Sequence, residues 1–323
     1  MAKIGIYATF LSEEQKQKIK KIASAYGYSI AYFKDTNEAA AGIADCEILY
    51  GYYPASLLPQ AEKLRWLATA SAGVDSYLED CVYAHPNQVI VTNSAGSYGV
   101  TISEHMIMVI LMLMRRMPEY TEVVRQRRWE NIGAVRSILG SRFTIVGMGD
   151  IGTQLARRLK ALGAAHITGV RRSLSKPADP AFQQVVTLDQ LPQVIQDIDV
   201  LALCVPSTRE TEGLLSREII AQLSSKTLIV NVGRGSAIDQ EALIEALNAE
   251  RLAGAALDVM TPEPLPPDHP LYQAKNVLLT PHISGNMSLG YTCEVNVDMF
   301  CRNLVRYLEG EPLHHVVNRT IGY

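Results

Sequence analysis

What this chain is short of narrows its function before any motif is considered. Its five cysteines, Cys46, Cys81, Cys204, Cys293 and Cys301, are odd in number, widely spread and without a CxxC spacing. Neither a disulfide framework nor a zinc site is expected from that pattern, and a reducing, cytoplasmic setting suits it. Charge of one sign is also scarce: the net charge is −3 over 323 residues. The chain therefore lacks the basic footprint of a nucleic-acid binder or of a protein held on an anionic membrane, and no run of like charge suggests an interaction tail. Long hydrophobic runs are missing too. The stretch MIMVILMLM at 106–114 is too short to span a bilayer and meets Arg115 and Arg116 at once. It reads as a buried or interface helix. The opening KIGIYATF has the look of a strand rather than of a secretory signal, and no internal repeat or low-complexity segment is evident.

What is present is material for two cores, since 48% of the residues are hydrophobic and the length suits two domains. Strand-like and helix-like stretches alternate from the start: KIGIYATF, SEEQKQKIKKIASAY, YSIAYF, CEILYGY, LRWLATAS and QVIVTNS. That alternation means a parallel sheet covered by helices. Ser12 with Gln15 three residues later predicts a capping box for the first helix, and Gly27 marks its end. A long helix is expected from about Thr101 to Arg116. A second βα series starts at Arg142 and runs through RFTIV, HITGV, DIDVLALCV, TLIVNV, AGAALDV and NVLLT. Residues 286–310 read as a closing amphipathic helix with apolar positions Val295, Met299, Leu304 and Leu308, ended by Gly310. The expected architecture is α/β: two doubly wound parallel-sheet domains, flavodoxin-like over 1–98 plus 286–323 and Rossmann over 99–285. Two crossing helices join them in this reading, so that hinge closure over a ligand is expected.

Three segments carry the chemistry: NVGRGSAID at 231–239, LDVMTPEPLP at 257–266 and LLTPHISG at 278–285. In each, an aliphatic run stops before a Gly or Pro turn and one reactive residue follows, namely Arg234, Glu263 and His282. Ligands of open α/β sheets sit beyond the carboxyl ends of the strands, so successive strands would bring these three together. Reduction of a 2-oxo acid needs a cation for the carboxylate and carbonyl, which suits Arg234 between Gly233 and Gly235. It needs an acid for the forming alkoxide, which suits His282. Glu263 would hydrogen-bond the other ring nitrogen and fix the tautomer. Singly, each of the three can equally be a turn or surface residue; together, downstream of a dinucleotide motif, they point to one site.

That motif is Gly147-Met148-Gly149-Asp150-Ile151-Gly152, which follows the strand-like FTIV and opens a helical stretch. Glycines there allow a tight turn and close approach to a pyrophosphate, and the helix N-terminus supplies amide donors. An NAD-specific site would carry Asp or Glu at the end of the next strand. Arg171, Arg172 and Ser173 stand there instead, and two guanidiniums with a hydroxyl suit a 2′-phosphate. NADP(H) is the preferred cofactor, with NAD(H) tolerated if both arginines lie solvated.

These motifs, spread in order over nearly the whole chain, resemble the D-isomer-specific 2-hydroxyacid dehydrogenases. The matching segments are Ser71 to Asp75, Asn93 to Gly96 with Ser103-Glu104-His105, Gly147 to Gly152, Asn231 to Asp239, Asp258-Val259 with Glu263-Pro264, Pro281 to Ile283, and Asn303 to Glu311. The resemblance implies that Arg234, Glu263 and His282 are catalytic. It implies that amides near Ala72 and Gly73 bind the substrate carboxylate, that Asp258 contacts the nicotinamide carboxamide, and that the protein is a homodimer built through the cofactor domain. Thr101, Val205 and Pro206 join the candidate cofactor contacts. Two departures stand out. Ala95 replaces the family's usual Pro, and Arg171 replaces its Asp, which puts NAD use in doubt.

For the substrate, Tyr52, Tyr53, Ser71, Ala72, Gly73 and Tyr98 are the candidates offered by the first domain, and none is cationic. A phosphorylated substrate is disfavoured on that ground. Glyoxylate, hydroxypyruvate or a bulkier 2-oxo acid remain, giving a D-2-hydroxy acid by family resemblance. A dinucleotide-dependent, corepressor-like binding protein is the rival reading, and a phosphite or formate oxidiser a third. No appended effector domain is expected after Tyr323.

Overall fold

A computed structural model describes residues 2–323, which divide into two compact units, 2–98 with 286–323 and 99–285. The first unit is built on five parallel strands, β1 (Lys3–Tyr7), β2 (Ser29–Tyr32), β3 (Ile48–Gly51), β4 (Trp66–Thr69) and β5 (Ile90–Thr92), in the order β2-β1-β3-β4-β5. This is the flavodoxin-like order. Successive side chains of a strand face opposite ways, and the cores follow that period of two. Ile48, Tyr50, Trp66 and Ala68 join one core, while Leu49 and Leu67 join the other. The first of these cores is closed by α1 (Glu13–Ala25) and α8 (Gly290–Leu308); α2 (Thr36–Gly42) and short 3-10 turns make the remaining links.

Ser12 accepts from the Gln15 amide while the Gln15 side chain takes the Ser12 amide, so α1 begins in a capping box. Its polypeptide then turns back at Gly27, which has φ of +75°. In α8 the buried residues are Thr292, Cys293, Asn296, Val297, Phe300, Cys301, Asn303 and Leu304. Of the apolar positions read from the sequence, only Leu304 is fully buried, and Val295 and Met299 lie at the margin of the stripe. The rotation has a polar cause. Asn296 accepts from the Tyr50 hydroxyl at 2.7 Å and donates to the Ala70 carbonyl at 2.8 Å, so a residue that looks like surface must face inward. Phe300 then stacks on Tyr50 with ring centroids 3.9 Å apart.

The second unit holds seven parallel strands: β6 (Arg142–Val146), β7 (His166–Arg171), β8 (Gln184–Thr187), β9 (Val200–Leu203), β10 (Leu228–Asn231), β11 (Gly254–Leu257) and β12 (Val277–Leu279). Their order, β12-β11-β10-β9-β6-β7-β8, reverses direction between β6 and β9, the switch point of a dinucleotide fold. Strands β9, β10 and β11 are buried at every position, as expected of central parallel strands. The apolar run at 106–114 lies within α3 (Gly99–Met114), which packs on α5 (Asp150–Ala161). The helix stops at Met114, earlier than the sequence suggests, because Arg116 takes a left-handed conformation and α4 (Met117–Arg125) starts with Pro118 in its first turn. The helices α6 (Arg217–Ala221) and α7 (Gln240–Asn248) pack on each other and give Ile220, Ala242 and Leu243 to the core that holds Ile229 of β10 and Ala255 of β11. The chain passes between units at 98–99 and 285–286, ahead of α3 and α8, and each of these helices belongs to one unit.

Candidate active site

Strands β10, β11 and β12 are neighbours and parallel, so their carboxyl ends open on one edge of the sheet. Arg234 lies three residues beyond β10, Glu263 follows β11, and His282 follows β12. His282 Nδ1 is 2.7 Å from Glu263 Oε2, and Glu263 Oε1 accepts the Met260 amide at 2.9 Å. An ionised carboxylate only accepts, so Nδ1 carries a hydrogen and Nε2 is left for proton exchange. The imidazole is half exposed, open to a small ligand.

The three loops are held by their own polar groups. Asn231, wholly buried at the end of β10, accepts the Gly233 amide at 3.0 Å and donates to the Arg234 carbonyl at 2.8 Å. Arg234 is extended, with Nη1 donating to the Gly233 carbonyl at 2.7 Å. The flanking glycines serve neighbouring main chain: a Cβ on Gly233 would lie 2.4 Å from the Val205 oxygen, and one on Gly235 would lie 2.1 Å from the Met260 carbonyl carbon. Close packing of the strand-end loops therefore requires glycine at both positions. Asp258, 2% exposed, accepts from Thr280 Oγ1 at 2.6 Å, from the Ile283 amide at 2.9 Å and from the Ser284 amide at 3.0 Å. Burial pushes its pKa up, but hydrogen bonds from the Ser284 and Thr280 side chains and two amides outweigh that and leave it below the usual value.

At the switch point, Gly147 to Gly152 joins β6 to α5. A Cβ on Gly152 would sit 2.0 Å from the Gly147 oxygen, so glycine is required there by helix-to-turn packing. A Cβ on Gly149 would meet nothing within 4 Å, which leaves open space in front of the turn and the first amides of α5. Arg171 ends β7; its Nη2 donates to the Lys176 carbonyl, and its Nε is buried without a partner. Arg172 and Ser173 are exposed beside it, with Ser173 Oγ 3.0 Å from Ser175 Oγ. An open glycine cradle at a helix start, with an unpartnered guanidinium N–H at the next strand end, fits a phosphate-bearing dinucleotide. Val205 is buried and Pro206 exposed just after β9, and Thr101 lies in the first turn of α3. The Asp150 carboxylate lies against Gly99, whose added Cβ would come within 2.3 Å of it, so only its main chain remains for a phosphate. Burial raises its pKa, opposed by the Gly99 amide and by Arg157 and Arg158.

Residues 107–284 match the model of the D-isomer specific 2-hydroxyacid dehydrogenase NAD-binding domain. This chain belongs to that family. A D-3-phosphoglycerate dehydrogenase of Archaeoglobus fulgidus is 30% identical over 82% of the chain and 49% of its own length, so the chain spans about half of that relative. A glyoxylate reductase of Korarchaeum cryptofilum is 30% identical over 86% of the chain and 85% of its own length. A solved D-isomer specific 2-hydroxyacid dehydrogenase family protein of Aeromonas salmonicida superposes with a TM-score of 0.84 at 30% identity, covering 98% of this chain and 99% of that one.

In the first unit of this dehydrogenase-family chain, Tyr52 follows β3, and Ala72 and Gly73 follow β4. The Tyr98 hydroxyl is 2.7 Å from the Ala70 carbonyl, which can only accept, so Tyr98 donates there. Tyr52, 2.8 Å from the Tyr98 oxygen, then gives its own hydrogen to Tyr98 and presents lone pairs outward. The Ala72 carbonyl takes the Asn93 side chain at 3.1 Å, which steadies the turn holding Ala72 and Gly73. Tyr53 is buried in the core. Sequence reasoning assigned no individual role to Asn231, Thr280 or His105, whose Nε2 is 3.4 Å from Thr280 Oγ1. A polar residue closing an otherwise aliphatic run, as in TLIVN and NVLLT, was the available signal.

Among the described residues no helix is long and apolar enough to cross a membrane. All five cysteines are free thiols.

Proposed function

We propose that this protein is an NADP(H)-preferring reductase of small 2-oxo acids, forming D-2-hydroxy acids in the cytoplasm. The observation that carries the reading is the His282–Glu263 hydrogen bond at 2.7 Å, held one strand over from the Arg234 loop. The bound cofactor supplies the hydride. Arg234 pairs with the substrate carboxylate and polarises the carbonyl, His282 delivers a proton from Nε2 to the forming alkoxide, and Glu263 keeps the ring oriented and stabilises its charged form. Alcohol oxidation uses the same groups in reverse. Amides of Ala72 and Gly73 bind the carboxylate, and Tyr52 lines the substrate's surroundings. Arg171, Arg172 and Ser173 hold the 2′-phosphate, the unpartnered Nε of Arg171 being one donor.

A panel of glyoxylate, hydroxypyruvate and bulkier 2-oxo acids, assayed with NADPH and NADH, tests this directly. Turnover with kcat/KM at least tenfold higher for NADPH is expected; no turnover with either cofactor sinks the enzyme reading, and an NADH preference sinks the cofactor reading. His282→Ala should lower kcat by about 10²–10⁴, whereas Arg234→Ala should also raise KM. Chiral analysis of the product checks the D configuration.

The reading includes a homodimer through the second unit. Its support is a groove lined by Met108, Leu111, Met112, Arg115, Met117, Tyr120 and Val135 on α3, α4 and the segments that join and follow them; the fully exposed Trp129 belongs to that following segment of the chain. Apolar surface of that kind marks an association site. Light scattering should give twice the chain mass, and Met112→Glu should give the monomer.

A further inference from the structure

Glu263 faces His282 from a loop with little main-chain support. Residues 261–264 are all exposed, although Met260 and Leu265 at either end are buried. Pro262 and Pro264 have no amide hydrogen to give. The Met260 amide is taken by Glu263 itself, at 2.9 Å from Oε1. Among the described residues, the main chain of 260–264 is hydrogen-bonded from outside the loop by Gln240 alone. Gln240 Nε2 donates to the Thr261 carbonyl at 2.6 Å, and its Oε1 accepts the Thr261 amide at 2.8 Å. A carbonyl only accepts and an amide N–H only donates, so both ends of the side chain are matched and its orientation is fixed.

The base of this clamp is firm. Gln240 is the first residue of α7, whose N-cap Asp239 accepts the Ala242 amide at 2.9 Å and gives its own amide to the Leu215 carbonyl at 3.0 Å. It also belongs to the segment that starts at Arg234 and passes Gly235, the residue packed against the Met260 main chain. Two successive residues of the Glu263 loop, Met260 and Thr261, are thus fastened to the polypeptide that leaves β10. Arg234 has separate support, because Asn231 holds its carbonyl and the Gly233 amide. Loss of the Gln240 amide therefore frees Thr261 and leaves the Arg234 loop held.

We propose that Gln240 is a positioning residue for proton transfer: its amide clamps the Thr261 peptide and through it sets where the Glu263 carboxylate meets His282 Nδ1. This rests on the reading of Glu263 as the group that orients His282. Glu263 is two residues from the clamp and follows any tilt of that peptide, and a misplacement of about 1 Å can cost roughly 100-fold in rate. The clamp consists of two neutral hydrogen bonds within reach of water, each of modest net strength, so a loss nearer to about tenfold is expected.

The test uses the full chain with Gln240→Met, which keeps the length of the side chain and removes both hydrogen bonds; Gln240→Ala replaces it should that variant fail to fold. The readouts are kcat and KM for glyoxylate with NADPH, hydrogen exchange of the Met260 amide in the cofactor-free protein, and the same substitution in a Glu263→Gln background. A kcat about tenfold lower with KM within about twofold is expected, since Arg234 keeps its own support. The Met260 amide, covered by Glu263 and not by Gln240, reports the carboxylate and should exchange at least about fivefold faster. In the Glu263→Gln background Gln240→Met should cost less than about a further twofold, because both changes act through one side chain. An unchanged kcat, unchanged Met260 exchange, or a loss that multiplies with that of Glu263→Gln overturns the proposal. So does a raised KM, which would put Gln240 in the service of Arg234. If Glu263→Gln itself keeps its kcat, the orienting reading of Glu263 falls and takes the proposal with it; if Glu263→Gln is impaired and Gln240→Met is not, the proposal falls alone.

Discussion

Asp258, just past β11, and Asp150, the first residue of α5, are two carboxylates withdrawn from water in the same unit, and their protonation equilibria move in opposite directions. Asp258 is the more deeply buried, at 2% exposure, yet its pKa falls. The Asp150 pKa rises, and its Oδ2 is buried with no partner. Burial disfavours the charged form at both places; the number of donors aimed at each carboxylate decides the sign. Asp258 collects four from one turn, whereas Asp150 has the Gly99 amide and the more distant charges of Arg157 and Arg158. A buried carboxylate near a strand end thus has two structural meanings. One organises a turn that carries chemistry, and the other fastens the start of a neighbouring helix at an electrostatic cost.

The largest effect expected from this contrast is on Asp258→Asn, which leaves buried donors unmet and should lower unfolding stability by about 3 kcal/mol at pH 7. Urea unfolding measures it, and a midpoint unmoved would remove the turn-holding role. Next is the pH dependence of that gap. A folded pKa below the unfolded value of about 3.9 means stability that is present above pH 4 and lost as pH falls through the folded pKa. The gap between the two proteins should therefore narrow on acidification, and a gap that widens would contradict the lowered pKa. Ser284→Ala removes one side-chain donor while keeping the amides, so about 1 kcal/mol is expected by the same unfolding measurement. The smallest effect belongs to Asp150→Asn. Its folded pKa is raised, so the carboxyl favours folding most below about pH 3.9 and loses that contribution as pH rises through the folded value. A neutral amide should match or exceed Asp150 at pH 7 by less than about 1 kcal/mol, with no gain in acid. A loss at Asp150 as large as that at Asp258 would show that donor count is not what separates them.

Elements written by short-range pattern were readable from the chain: the strand-like aliphatic runs, the Ser12–Gln15 capping box, the glycine turn at 147–152, and Arg234, Glu263 and His282 just past those runs. The α8 face was misread because Asn296 looks like surface until the Ala70 carbonyl and Tyr50 hydroxyl, both distant in sequence, call it inward. The need for glycine at 233 and 235 shows only in the folded sheet, where the main chain of Val205 and Met260 reaches them. Asn231 and Thr280 passed without a role for a similar reason. Their partners are main-chain groups and a carboxylate whose positions no local spacing reveals.

By itself the amino-acid sequence determined the α/β alternation, the dinucleotide turn and which three side chains are candidates for the chemistry. These follow from periodicity, glycine placement and residue type, all local properties of the polypeptide. Tertiary structure alone decided that β10, β11 and β12 lie side by side, that Nδ1 of His282 meets Glu263 at 2.7 Å, and that Asp258 accepts from the turn behind it. Those facts depend on strand order and on hydrogen bonds between residues far apart in the chain, where the geometry of the whole sheet sets who can reach whom.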